Sequence, residues 1–216
     1  MLIRQALQIV GGITKNNKKM PGHAYGLPAA ACKTGAKLRK KPGSVCESCY
    51  AFKGNYKRFP VTVQAQYRRL ASITDPRWTR AMITLINRYQ SQSPYFRWHD
   101  TGDVQDLDHL LRIFEVCEAT PGVRHWMPTK EAWVKPWLAL APSNLIVRFS
   151  PAMIDQPAPD SWRHTATVVK GQGDCPAVHT GKCGDCRRCW SKSVKNIAYE
   201  LHLTQKNPIS CDFAPG

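Results

Sequence analysis

From Asp75 onward the apolar positions recur with two different periods. Trp78, Met82, Leu85 and Tyr89 step by four, three and four residues, the spacing of one buried helix stripe. Asp75 predicts a cap for that helix and Pro76 suits its first turn. Leu107, Leu110, Leu111 and Phe114 mark a second stripe. Between and beyond these lie short runs of strand length: YFRWHD (95–100), VRHWMP (123–128), NLIVRFS (144–150) and TATVVK (165–170). A further helix is predicted over 61–73, and a helical stretch follows the second strand, broken or restarted at Pro136. Trp190, Val194, Ile197 and Leu201 predict a last helix. Strand-then-helix units imply a parallel sheet, and right-handed crossovers put the helices on its outer face. The fold class expected is α/β, a parallel-sheet, partial (β/α) barrel-like core.

The first 60 residues lack either period. Gly11, Gly12, Pro21, Gly22, Gly26, Pro28, Pro42, Gly43 and Gly54 punctuate them, so this region reads as irregular and in need of pinning. A single domain is expected, with an irregular region over 1–60, the α/β core over 61–170, a cysteine-rich loop plus helix over 171–204 and a loose tail over 205–216. No apolar run approaches the roughly 18 residues of a membrane span, and MLIRQALQIVGG lacks the length and cleavage site of a secretory signal. The expectation is a soluble, cytoplasmic protein.

Charge narrows the partners. The formal charge is +16, from 31 basic and 15 acidic residues, an excess that favours a polyanion and nucleic acid first. The densest basic run, KTGAKLRKKPG, contains Lys37, Arg39, Lys40 and Lys41, which read as phosphate contacts or as a solvated loop.

Nine cysteines change the picture further, because in a reducing compartment clustered cysteines are metal ligands before they are disulfides. Cys183, Cys186 and Cys189 repeat at C-x2-C-x2-C, and Cys175, followed by Pro176, lies just upstream. Two-residue gaps let the backbone curl round a centre, and this triple spacing with a Cys-Pro member is that of cubane iron–sulfur ligation. Four thiolates also suit zinc, which stands as the alternative metal. Cys32, Cys46 and Cys49, spaced C-x13-C-x2-C, form a second set with only three members. Cys117 falls on the apolar side of its helix and Cys211 in the tail, and both read as non-ligands.

Parallel sheets gather function at the carboxyl ends of their strands. Three such ends are rich in polar groups: His99-Asp100-Thr101-Gly102-Asp103, Pro128-Thr129-Lys130-Glu131, and Arg148-Phe149-Ser150. His99, Asp100, Asp103 and Glu131 are the candidate proton-transfer or orienting groups, and Gly102, Arg148 and Ser150 the candidate cofactor contacts. The plainer reading of Asp103 and Thr129 is helix capping.

The runs KMPGHAYGLPAAACKTGAKL, PGSVCESCYAFKGNY, YFRWHDTGDVQ and CPAVHTGKCGDCRRCW together resemble the phage gene product 88 family, across roughly residues 15–202. The resemblance implies a gene of a bacteriophage or other mobile element and supplies little chemistry. A weaker resemblance is to radical-SAM enzymes, whose three cysteines leave one cubane iron open for S-adenosylmethionine. Cys32, Cys46 and Cys49 match a long-gap variant of that motif, and Gly102-Asp103 matches the glycine-plus-acid motif that often follows. The departures are the thirteen-residue gap, where three is common, and Ser48, where an aromatic is common.

The function expected is that of an iron–sulfur protein with two 4Fe-4S centres. The three-cysteine centre is the open, reactive one and acts on a small-molecule substrate; the four-cysteine centre is structural or carries electrons. The alternative is a nucleic-acid-binding module in which iron–sulfur or zinc centres are structural.

Overall fold

A computed structural model describes residues 1–15, 19–53 and 58–201. Its centre is a six-stranded sheet in the order β1 (His23–Tyr25), β2 (Tyr95–Trp98), β3 (Arg124–Thr129), β4 (Leu145–Phe149), β5 (Thr165–Val169) and β6 (Asn196–Glu200). Every neighbouring pair is parallel, and sequence order is spatial order. The sheet is not closed: β1 and β6 are its two edges.

Alternation sends the two faces to different partners. Tyr25, Phe96, Trp98, Met127, Leu145 and Val147 join the core with helices α4 (Trp78–Tyr89) and α5 (Leu107–Glu118). Met82, Leu85 and Leu110 are wholly buried there, as their helical spacing predicts. Helix α1 (Ile3–Ile9) packs beside α4, and α3 (Pro60–Ser72) spans the third predicted helix. The opposite face carries Arg97, Trp126, Arg148 and Tyr199. Trp190 lies over it, 5.3 Å from the Trp126 ring and 5.2 Å from that of Tyr95, and its indole N–H donates to the Phe96 carbonyl.

Four expectations need correction. Residues 190–201 are not a helix: Trp190 ends a short 3-10 turn, and 196–200 is strand β6. The three- and four-residue spacing that suggested a helix overlaps a strand alternation, Ile197 and Tyr199, and pairing with β5 settles the conformation. The first 60 residues are not uniformly irregular, since they hold α1, edge strand β1 and helix α2 (Lys33–Leu38). Asp75 does not cap α4 through its side chain. Its carboxylate accepts from the Arg77 backbone in a turn that precedes the helix. The stretch after β3 is a 3-10 segment, Ala132–Leu140, which tolerates Pro136 inside it. The 205–216 tail and Cys211 lie outside the described residues. Among the described residues no helix is long and apolar enough to cross a membrane.

Candidate metal centres

All six strands point their carboxyl ends at one edge, and the segment after β1 is spread along it. Tyr50 donates its hydroxyl to the Asp100 carbonyl at the end of β2. Thr34, in the first turn of α2, donates its backbone N–H and its hydroxyl to the Glu131 carboxylate after β3, at 2.9 and 2.8 Å. Ser44 forms a bridge with Met153 and Val45 donates to the Ala152 carbonyl after β4. Cys32, Cys46 and Cys49 are carried on this segment. A β-carbon built on Gly35 would lie 3.7 Å from both the Cys32 and the Cys46 sulfur and 2.8 Å from the Cys32 β-carbon. Both sulfurs therefore face Gly35, and any side chain at 35 would touch them.

Three charged groups, Asp103, Lys130 and Arg39, face these thiols. Burial, then the Asp103 charge, pushes the Cys32 thiol up to about 12. Burial also raises Cys46, opposed first by the Lys130 ammonium. Lys130 itself is lowered by burial, while the Cys46, Asp103, Cys49 and Cys32 charges act the other way. Its Nζ donates to the Ser150 hydroxyl and the Pro151 carbonyl, both at 2.8 Å, which holds the ammonium at the strand ends. Asp103 is buried and accepts from the backbone of Val104 and Lys130 and from the Thr129 hydroxyl. Burial lifts its carboxyl to about 7 against those donors. Asp106, not Asp103, caps α5.

The remaining strand-end residues fall in the same neighbourhood with varied surroundings. His99 has φ 54° and is 2% exposed, and neither ring nitrogen has a hydrogen-bond partner among the described residues. Its ring lies 5.6 Å from that of His109, and burial, then the His109 and Arg97 charges, holds it well below the usual histidine range. The Asp100 carboxylate accepts from the Thr101 backbone. Gly102 has φ 78°, and a side chain there would collide with the Leu27 backbone at 2.7 Å. Glu131 also accepts from the Trp133 indole, so both its oxygens are engaged.

The second cysteine set lies with the face opposite the helices. Cys183 is raised by burial and then by the Cys175 and Cys186 charges, and Cys189 is pushed by burial up to about 11. The Tyr199 hydroxyl of β6 is 3.1 Å from the Cys189 sulfur. Arg148 is wholly buried and holds this loop: Nε donates to the Cys189 carbonyl, Nη2 to Arg188 and Ser191, and Nη1 to Thr165, Val194 and Lys195. Its donors are thus spent on backbone.

Among the described residues no group of three or more His, Cys, Asp or Glu side chains has metal-holding geometry, and the described cysteines are free thiols. The basic run divides. Lys37, Lys40 and Lys41 are exposed, whereas Arg39 turns inward, 4.2 Å over the Phe52 ring and toward Cys32 and Cys46.

Lys130, Tyr50, Thr34, Gly35 and Tyr199 carry much of this geometry and were not singled out as site residues from the sequence. Lys130 had a signal, since it stands inside the strand-end motif from which only Glu131 drew a role. The others act through contacts between distant segments.

A family model described as Gene product 88 matches residues 4–192. No similar curated protein and no similar solved structure was found.

Proposed function

The chain belongs to the phage gene product 88 family, and we propose that it is an iron–sulfur protein whose reactive centre is carried by Cys32, Cys46 and Cys49 at the carboxyl edge of the sheet. The observation that carries this reading is the meeting of the Cys32 and Cys46 sulfurs at a residue without a side chain, Gly35, with the Lys130 ammonium facing these two cysteines and Cys49. The donor set fits a thiolate-bound cluster: three soft ligands, a nearby cation, and backbone without a side chain where bulk would intrude. Held by three thiolates, a cubane supplies one-electron chemistry and one iron open to a ligand.

The chain's own residues divide the remaining work. Lys130 offsets the negative charge that three thiolates bring to a buried site. Asp103 binds the β3 end through Thr129 and Lys130 and so fixes where that ammonium sits. Glu131 holds the first turn of α2, the helix that begins at Lys33, directly after Cys32. Cys175, Cys183, Cys186 and Cys189 form the second, fully thiolate-bound centre, supported by Tyr199 and Arg148. A radical-SAM-like reaction asks for an acid that can take a ligand amine; Asp103 Oδ1 already accepts twice and Oδ2 once, which leaves one acceptor site on Oδ2. S-adenosylmethionine is therefore a ligand to offer the reduced protein.

Anaerobically purified protein is expected to be brown, with iron and acid-labile sulfide in equal amounts. Cys46→Ser and Cys186→Ser should each remove one centre's share of iron and leave the other's. Colourless protein carrying stoichiometric zinc after iron-rich expression would overturn the proposal, as would two variants that retain all the iron.

A further inference from the structure

The positive charge is not spread over the chain. Residues 1–74 contain fourteen of the 31 lysines and arginines but one acid, Glu47, so nearly all of the +16 excess originates in the first third. The remaining residues are close to balanced, with seventeen basic and fourteen acidic. The ion pairs among the described residues, Arg77–Asp75, Arg112–Asp108, His179–Glu200 and Arg188–Asp174, all lie outside that third.

The same third carries exposed aromatic rings. Among the described residues the large exposed hydrophobics that are aromatic are Tyr50, Phe52, Phe59 and Tyr67, with Tyr67 49% exposed. The elements bearing them dock on adjacent residues. Tyr50 donates to the Asp100 carbonyl, and Gln66 on α3 donates to the Thr101 hydroxyl. Phe52 lies under the Arg39 guanidinium, which joins it to α2 and its exposed Lys37, while Lys40 and Lys41 follow directly. On α3, Gln66 and Arg69 are buried while Tyr67 and Arg68 face outward.

Exposed lysines alone suit any polyanion. Exposed π faces set among cations suit a chain of unpaired bases joined by phosphates, because every base can stack on an aromatic ring while a duplex hides its base faces. We propose that this basic, aromatic third is a binding surface for single-stranded nucleic acid, laid beside the three thiols at the end of β2. Lys37, Lys40 and Lys41 contact phosphates, and Tyr67 and Phe52 stack on bases. This reading does not depend on iron, since its charges and rings are present in the metal-free chain.

The test is fluorescence anisotropy of full-length protein with a labelled single-stranded DNA of about 15 nucleotides. The duplex of the same sequence and heparin serve as comparison ligands. Single-stranded DNA should bind most tightly. Tyr67→Ala, at a surface position, should weaken it about fivefold or more by loss of stacking and leave heparin binding unchanged. Replacing Lys37, Lys40 and Lys41 together by Gln should reduce the slope of log affinity against log salt by about two. Urea midpoints equal to wild type identify the variants as folded. No binding of single-stranded DNA at about 50 mM salt, a preference for duplex or heparin, or unchanged affinity in folded Tyr67→Ala would overturn the proposal.

Discussion

Gly35 is the residue at which packing and chemistry make opposite demands. It sits in α2, where alanine is ordinarily better than glycine by about 1 kcal/mol. Yet a methyl group there would stand 2.8 Å from the Cys32 β-carbon and in van der Waals contact with both the Cys32 and Cys46 sulfurs. Gly35→Ala is therefore expected to deplete the centre proposed on Cys32, Cys46 and Cys49 while sparing the one proposed on Cys175–Cys189, read as iron per chain. Metal-free protein should also lose stability, read from urea midpoints, because the 2.8 Å approach to the Cys32 β-carbon outweighs the helix preference of about 1 kcal/mol. A variant that is more stable and retains all its iron would mean that the glycine guards no ligand. Lys130 complements this test. Removing its charge with Lys130→Met takes away the cation facing three thiols, so the N-terminal centre should form less completely at neutral pH, measured as iron per chain.

At the scale of elements, Arg148 decides how the cysteine-rich loop meets the sheet. One guanidinium reaches six carbonyls on β5 and residues 188–195, which a fork of fixed donors can span and a single ammonium cannot. Arg148→Lys should lower stability by about 3 kcal/mol or more, because several buried carbonyls lose their partners at once. It should also speed amide exchange in 188–200 and reduce the iron held by the second cysteine set. Unchanged exchange there would remove Arg148 from that role. Apart from the 3-10 segment Ala132–Leu140, the strands and helices between 60 and 170 were legible from short apolar runs and helix stripes set between turn residues. Strand β1 was not, since three residues between Gly22 and Gly26 are too few to show a period, and their pairing with β2 comes from across the chain. Strand β6 was misread because Trp190, Val194 and Ile197 mimic a helix stripe while spanning a turn and a strand. The cysteine spacings are visible in the sequence, but Lys130 facing Cys46, and Tyr199 against Cys189, are products of the fold.

For the molecule as a whole, buried histidines set the response to acid. Burial lowers His109 to about 4 and His125 to about 3, and holds His99 well below its ordinary value. Their rings are nearly inaccessible and retain unpartnered nitrogens, so a proton has little to stabilise it in the fold. An unfolded chain protonates each near 6.5. Below that pH the unfolded state binds more protons, and stability falls as pH falls, by about 1.4 kcal/mol per pH unit for each histidine. Asp103 works in the opposite sense. Its carboxyl is raised to about 7, so between its unfolded value near 4 and 7 the folded state holds the extra proton and stability falls as pH rises. Burial lowers His23 and His164 as well, so five histidines oppose one carboxyl and prevail: urea midpoints of metal-free protein should drop clearly from pH 7 to pH 5. His125→Leu should flatten that decline by one proton's worth, whatever it does to stability at pH 7. Asp103→Asn should steepen it. A midpoint that stays level from pH 7 to pH 5, or a His125→Leu variant with the wild-type slope, would show that these rings gain partners or solvent that the fold described here denies them.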